Sequence, residues 1–173
     1  MYFYNKITKP CTYLFIAFFL TANLSFAGQL GGPSQQDIAK FNQALDAYDQ
    51  GFQSVMGVWQ IIEYDLSSGA APTSENKQQL QYVINTLGSM TSDLDALASA
   101  AKPLDNQQIV SDISKMNQAH YGAIASAKTL LSGIQKSGQV DYQAVASTSS
   151  DLSSLERLID CIRREIQVIT GGK

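Results

Sequence analysis

The chain has 173 residues, is 45% apolar and only 16% charged, and carries a net charge of −3 at neutral pH. An acidic balance argues against nucleic acid and against anionic membrane surfaces as partners, since both favour basic proteins. The length suits one domain, and two cysteines are too few for a disulfide framework, so the fold must rest on a hydrophobic core.

Residues 1–27 read as a secretory signal peptide. Lys6 and Lys9 supply a positive start, residues 13–24 (YLFIAFFLTANL) an apolar run, and Ser25-Phe26-Ala27 a small-x-small cleavage site. The apolar run falls short of the roughly 20 residues that span a bilayer. The expected mature chain is residues 28–173, a single domain with no membrane span, periplasmic or secreted. Cleavage removes Lys6 and Lys9 but no acid, so the net charge moves from −3 to −5. It also removes Cys11, which leaves Cys161 as the one cysteine of the mature chain.

The first predicted helix opens at Pro33-Ser34, with Ser34 as N-cap and Asp37 three residues on. Ile38, Phe41, Leu45, Tyr48, Phe52, Val55, Trp59, Ile62 and Leu66 then recur at alternating spacings of three and four. Gly69 and Pro72 end it. Thr73 caps a second helix with the stripe Leu80, Val83, Leu87, Met90, Leu94, Leu97, Ala101, which Pro103 stops. Asp105 is expected to cap a third, with Gln108 at the reciprocal position. Its stripe is Ile109, Ile113, Met116, His120, Ala123, Ala127, Leu130, Ile134, and Gly138 closes it. Asp141 caps a fourth, with Val145, Thr148, Leu152, Leu155, Ile159, Ile162, Ile166 and Ile169. The polar run at 146–154 is weakly helical, so this helix is expected to fray at its start.

No strand pattern competes. Four helices of similar length with short loops and heptad stripes predict an all-α, antiparallel up-down-up-down four-helix bundle with crossing angles near +20°.

Little in this frame looks like chemistry. His120, the only histidine, falls on an apolar stripe, where a buried ring normally finds hydrogen-bond partners. Met116 lies four residues before it, and a Met/His pair is a conceivable Cu(I) site. The two share one helix face, which excludes axial ligation of a haem from opposite sides. A di-iron site needs Glu-x-x-His, and Asn117 stands in the glutamate's place. No nucleophile, base and orienter come together, so no catalytic residues and no cofactor are expected. Gly51, Gly88 and Gly122 fall near the middles of three helices and read as tolerant surface sites. Cys161, on an outer flank, is able to link two chains.

The feature most suggestive of function is an apolar surplus. Residues 55–64 (VMGVWQIIEY) are apolar almost all round, with Val58 and Ile61 off the stripe. In the predicted topology this end of the bundle meets Tyr82, Ile84, Leu131 and Tyr142. An apolar, aromatic bundle end is suited to a lipid-like ligand or an apolar surface. The expected ligand-binding residues are Met56, Trp59, Ile61, Tyr82 and Ile84.

Residues 46–51 (DAYDQG), 61–69 (IIEYDLSSG) and 94–105 (LDALASAAKPLD) resemble the fungal hydrophobic-surface-binding and cell-wall mannoprotein family of secreted helical bundles. Ala47-Tyr48 with Gly51, and Lys102-Pro103, stand where that family has an Ala-Tyr followed by glycines and a Lys-Pro junction. The sequence departs from the pattern in having one glycine in DQG and Ala101 in place of a second lysine. The resemblance implies non-enzymatic binding of apolar surfaces or fatty acyl chains. The expectation is therefore a binding protein for an apolar ligand or surface. The alternatives are a protein–protein interaction module of an envelope or secretion system, with an envelope protein as partner, and a Met/His copper carrier.

Overall fold

The computed structural model describes residues 32–171; the signal-peptide reading lies outside them. The elements are α1 (Gln35–Ser67), α2 (Ser74–Ser89), α3 (Thr91–Ala101), a 3-10 turn (Lys102–Leu104), α4 (Gln107–Ser137) and α5 (Tyr142–Ile169). They form an all-α four-helix bundle in which α2 and α3 together make the second helix. Contacting pairs show the directions. Asp65 meets Asn76 and Gly51 meets Met90, so α1 runs against α2–α3. Gly122 meets Asp151, and Gly133 lies beside Gln139 where the chain turns back into α5. Trp59 meets Ser149 and Asp46 meets Arg163, so α1 and α5 are opposed as well.

The apolar stripes are the core. Every stripe position of the four predicted helices is buried except Ile169, which packs at the core's edge. Complete burial of each large aliphatic or aromatic side chain stabilises by roughly 1.5–3 kcal/mol against exposure, so these stripes dominate folding.

The ends of the helices are set locally. Ser34 Oγ accepts from Asp37 N at 3.1 Å. Thr73 forms a capping box with Asn76, whose side chain also donates to Asp65 and so ties the α1–α2 turn. Asp141 accepts from the amides of Gln143 and Ala144. Gly138 ends α4 with φ +70°, a left-handed conformation that glycine adopts without steric cost. Asn106, not Asp105, caps α4, its Oδ1 accepting from Ile109 N at 3.0 Å. Asp105 is instead the left-handed residue of the turn (φ 48°), a conformation an aspartate tolerates.

Two further expectations are corrected. The second helix is not continuous: Met90, with φ −71° and ψ −7°, breaks it into α2 and α3. The start of α5 does not fray, because residues 146–154 are helical throughout. Thr148 is buried and bonds back to the Ala144 carbonyl, while Ser149 is held across the bundle by α1.

Candidate functional site

The Met90 break organises the middle of the bundle. A ψ near zero turns the local carbonyls away from the helical direction of about −42°. The Met90 amide nonetheless still donates to the Thr86 carbonyl and the Met90 carbonyl still accepts from the Leu94 amide, while Ser89 Oγ and Ser92 Oγ donate in addition to the Thr86 and Ser89 carbonyls. The Leu87 carbonyl hydrogen-bonds the ring of His120 on α4. The ring is fully buried. Its Nδ1 lies 3.0 Å from the Tyr48 hydroxyl of α1, and its Nε2 lies 3.4 Å from Thr91 Oγ1.

This network assigns the ring's state. Burial pushes the Tyr48 hydroxyl well above its ordinary range, so it is a neutral O–H that donates to Nδ1. The Leu87 carbonyl accepts the ring's remaining N–H. Burial also lowers His120 below the ordinary histidine value, with the Leu87 bond opposing that shift. His120 is thus a neutral core residue joining three helices. Both ring nitrogens face protein partners, and Met116 one turn before it is completely buried. Among the described residues no group of three or more His, Cys, Asp and Glu side chains is placed to hold a metal ion.

The glycines near the waist differ, and the reading as tolerant surface sites is corrected for Gly51 and Gly122. A Cβ on Gly51 would stand 2.9 Å from Met90 Cγ, so the missing side chain lets α1 approach the break. A Cβ on Gly122 would stand 2.6 Å from Asp151 Oδ2, so α5 lies over it with a half-buried carboxylate that burial pushes up in pKa. Only Gly88 faces open space.

The five expected ligand-binding residues do not share a face. Trp59 and Ile84 are core residues at 1% and 6% exposure, whereas Ile61 and Tyr82 are exposed at 52% and 46%. Met56 is partly buried against the core. It lies about two helical turns from both Asp49 and Glu63, which face α5. Trp59 Nε1 donates to Ser149 Oγ at 3.0 Å, and Ser149 donates to Glu63 Oε1 at 2.6 Å. The supposed surplus is mostly a wider core, closed by a polar strap from α5. Ile61, Tyr64 and Tyr142 remain as exposed apolar groups at that end.

A groove lies instead between α3 and α4, toward the opposite end. It encloses about 330 Å³ and is lined by Leu94, Ala98, Ala101, Val110 and Ile113, with Asp95, Lys102, Ser114 and Asn117 on its rim. None of the five expected residues touches it. Small Ala98 and Ala101 create it, because alanines there leave space that larger side chains would fill. Nothing in the α3 stripe announces this, since an alanine on a helix flank is compatible with either a packed seam or a trough. A second, more open and polar groove lies between α4 and α5, lined by Ser126, Gln143, Ser147, Ser150 and Asp151.

Cys161 is half-buried, and Arg164 donates to its sulfur at 3.4 Å. Arg163 instead reaches α1, pairing with Asp46 and Asp49 at 2.9 and 2.7 Å. No helix among the described residues is long and apolar enough to cross a membrane.

No family model, no curated protein and no solved structure matches the chain.

Proposed function

We propose that this is an exported, non-catalytic binding protein that takes up a small apolar ligand in the groove between α3 and α4. The observation that carries the reading is the groove itself: an apolar lining of Leu94, Ala98, Ala101, Val110 and Ile113 with few polar groups around it. Its volume stands at the small end of ligand pockets, which run from roughly 300 to 1,000 Å³. Val110 is 51% exposed at its mouth, so an apolar occupant would remove from water a surface the fold leaves open. The resemblance to the fungal surface-binding family supports the same class of ligand, and the signal-peptide pattern supports export.

The test is a titration of the mature chain with the fluorescent apolar probe N-phenyl-1-naphthylamine. Ala98→Trp, which fills the groove, and Val110→Glu, which charges its mouth, should both abolish saturable binding. Ile61→Glu, at the far end, should leave it intact. The opposite pattern would return the site to the Trp59 end of the bundle, and a flat titration of the parent chain would remove the ligand reading.

One observation favours a second reading. Ile61, Tyr64, Tyr82 and Tyr142 are each at least 46% exposed, and exposed aromatic residues suit a protein-docking surface. Cross-linking through a photoreactive group at Tyr64 would identify a partner of that kind.

A further inference from the structure

The polar groove between α4 and α5 has a lining that the fold itself does not use. It encloses about 440 Å³ among Ser126 of α4 and Gln143, Ala146, Ser147, Ser150 and Asp151 of α5. Gln143, Ser147 and Asp151 follow one another at spacings of four, so they share one face of α5, with Ser150 beside them. Elsewhere on these two helices the hydroxyls have partners within the protein. Thr129, Ser137, Thr148 and Ser154 bond back to the carbonyl four residues before, and Ser149 donates to Glu63. The side chains of Ser126, Gln143, Ser147 and Ser150 make no hydrogen bond among the described residues, and neither does the Asp151 carboxylate. Nor does that carboxylate belong to an ion pair, since those of the described residues join Lys115 to Asp112 and Arg163 to Asp46 and Asp49.

Asp151 is nonetheless half-buried, because Gly122 lets α5 close over α4: a Cβ there would stand 2.6 Å from Asp151 Oδ2. A carboxylate drawn partly out of water, with nothing to answer its charge, is unfavourable until a cation meets it. Burial accordingly pushes its pKa up.

We propose that this groove is a binding site for the ammonium group of a small organic amine, with Asp151 as its counter-ion. The site shares no lining residue with the α3–α4 groove and does not rest on the function proposed for that groove. An ammonium group carries one positive charge and three N–H donors and accepts nothing. The lining supplies the complement, one carboxylate and the side-chain oxygens of Ser126, Gln143, Ser147 and Ser150. Charge-assisted bonds of this kind are roughly twice as strong as neutral ones. Other ligands fit less well. The one charge in the lining is negative, which disfavours anions. A calcium ion asks for about six to eight oxygens, and among the described residues no group of three His, Cys, Asp and Glu side chains is placed to hold a metal. With no aromatic residue and a single alanine in the lining, a purely apolar ligand finds little to bury against.

The test is a titration of the nitrogen-15-labelled protein with n-butylammonium chloride at neutral pH, read by amide NMR shifts. Sodium chloride and n-butanol serve as controls for charge and for chain. The expected result is a saturable shift at Gly122, Ser126, Ser147 and Asp151 that neither control reproduces. The Asp151 carboxyl pKa should fall once the amine is bound, because a facing cation favours the ionised form. Asp151→Asn keeps the shape and removes the charge, and should weaken binding roughly tenfold or more, as loss of a bond to a charged group does. Ser147→Ala should weaken it about two- to tenfold. Trp59 emission reports whether each variant is folded. The site is overturned by the absence of a saturable shift, by shifts that either control reproduces, or by unchanged affinity in a folded Asp151→Asn variant. If that variant does not fold, the Asp151 pKa of the parent chain decides: it must fall with the amine and stay constant with n-butanol.

Discussion

Replacing each waist glycine by alanine separates close packing from mere tolerance. In a helix interior the change alone stabilises by about 0.5–1 kcal/mol. At Gly88, where a Cβ meets nothing within 4 Å, that gain should appear in full. At Gly122 the obstacle is the Asp151 carboxylate, 2.6 Å from the added atom. Asp151 is half-buried and can rotate toward water, so gain and repulsion should nearly cancel. At Gly51 the obstacle is Met90, with Cγ at 2.9 Å and Sδ at 3.0 Å. Met90 is 2% exposed and sits in the break, so it has little room to retreat. Overpacking costs about 1–3 kcal/mol, which leaves Gly51→Ala destabilised by roughly 0–2 kcal/mol after the helix gain. For a domain of this size about 1 kcal/mol moves Tm by roughly 3 °C, so calorimetry should rank the variants Gly88→Ala, Gly122→Ala, Gly51→Ala from most to least stable. Met90→Ala alone should cost about 2–5 kcal/mol, and combining it with Gly51→Ala should add no further loss. A Gly51→Ala variant that gains as much as Gly88→Ala would refute the argument that α1 needs this glycine to approach the break.

Other consequences are as direct. His120 is held neutral by burial, so the folded state binds its proton less readily than the unfolded chain. Its contribution is fully present above the unfolded value near 6.5 and is lost as pH falls from there toward the depressed folded value; urea midpoints should drop across that window, and a midpoint that rises would contradict it. Asp151, raised by burial, works in the opposite sense at lower pH, so Asp151→Asn should steepen the net acid loss seen in the same titration. Tyr48→Phe leaves Nδ1 without its donor in a buried site and should cost about 1–3 kcal/mol by chemical denaturation. Ser149→Ala removes the acceptor of Trp59 Nε1 and the link to Glu63; the tryptophan near-ultraviolet dichroism should weaken, and an unchanged signal would show that the strap does not orient the ring.

Most of what neighbours within a turn or two set could be read from the chain, the cap of α4 excepted, where Asn106 and not Asp105 accepts from the first turn. The four apolar stripes coincide with the buried core because a residue's place on a helix face depends only on spacing. Ser34, Thr73, Asp141 and Gly138 terminate helices for equally local reasons, since a cap answers amides or carbonyls at most a few residues away. Relations across helices were not legible. Met90 continues the stripe without fault, yet the helix breaks there, and the partners at the break, Gly51 and His120, lie on α1 and α4, far away in sequence. Ile84 lies off the predicted stripe of its helix, yet it is buried at 6% exposure in the packed bundle. The α3–α4 groove exists because Ala98 and Ala101 come opposite Ile113 and Val110, a matter of register between two helices. Periodicity states which face of a helix is buried, but only the packed bundle decides what each face meets and where the fit leaves room.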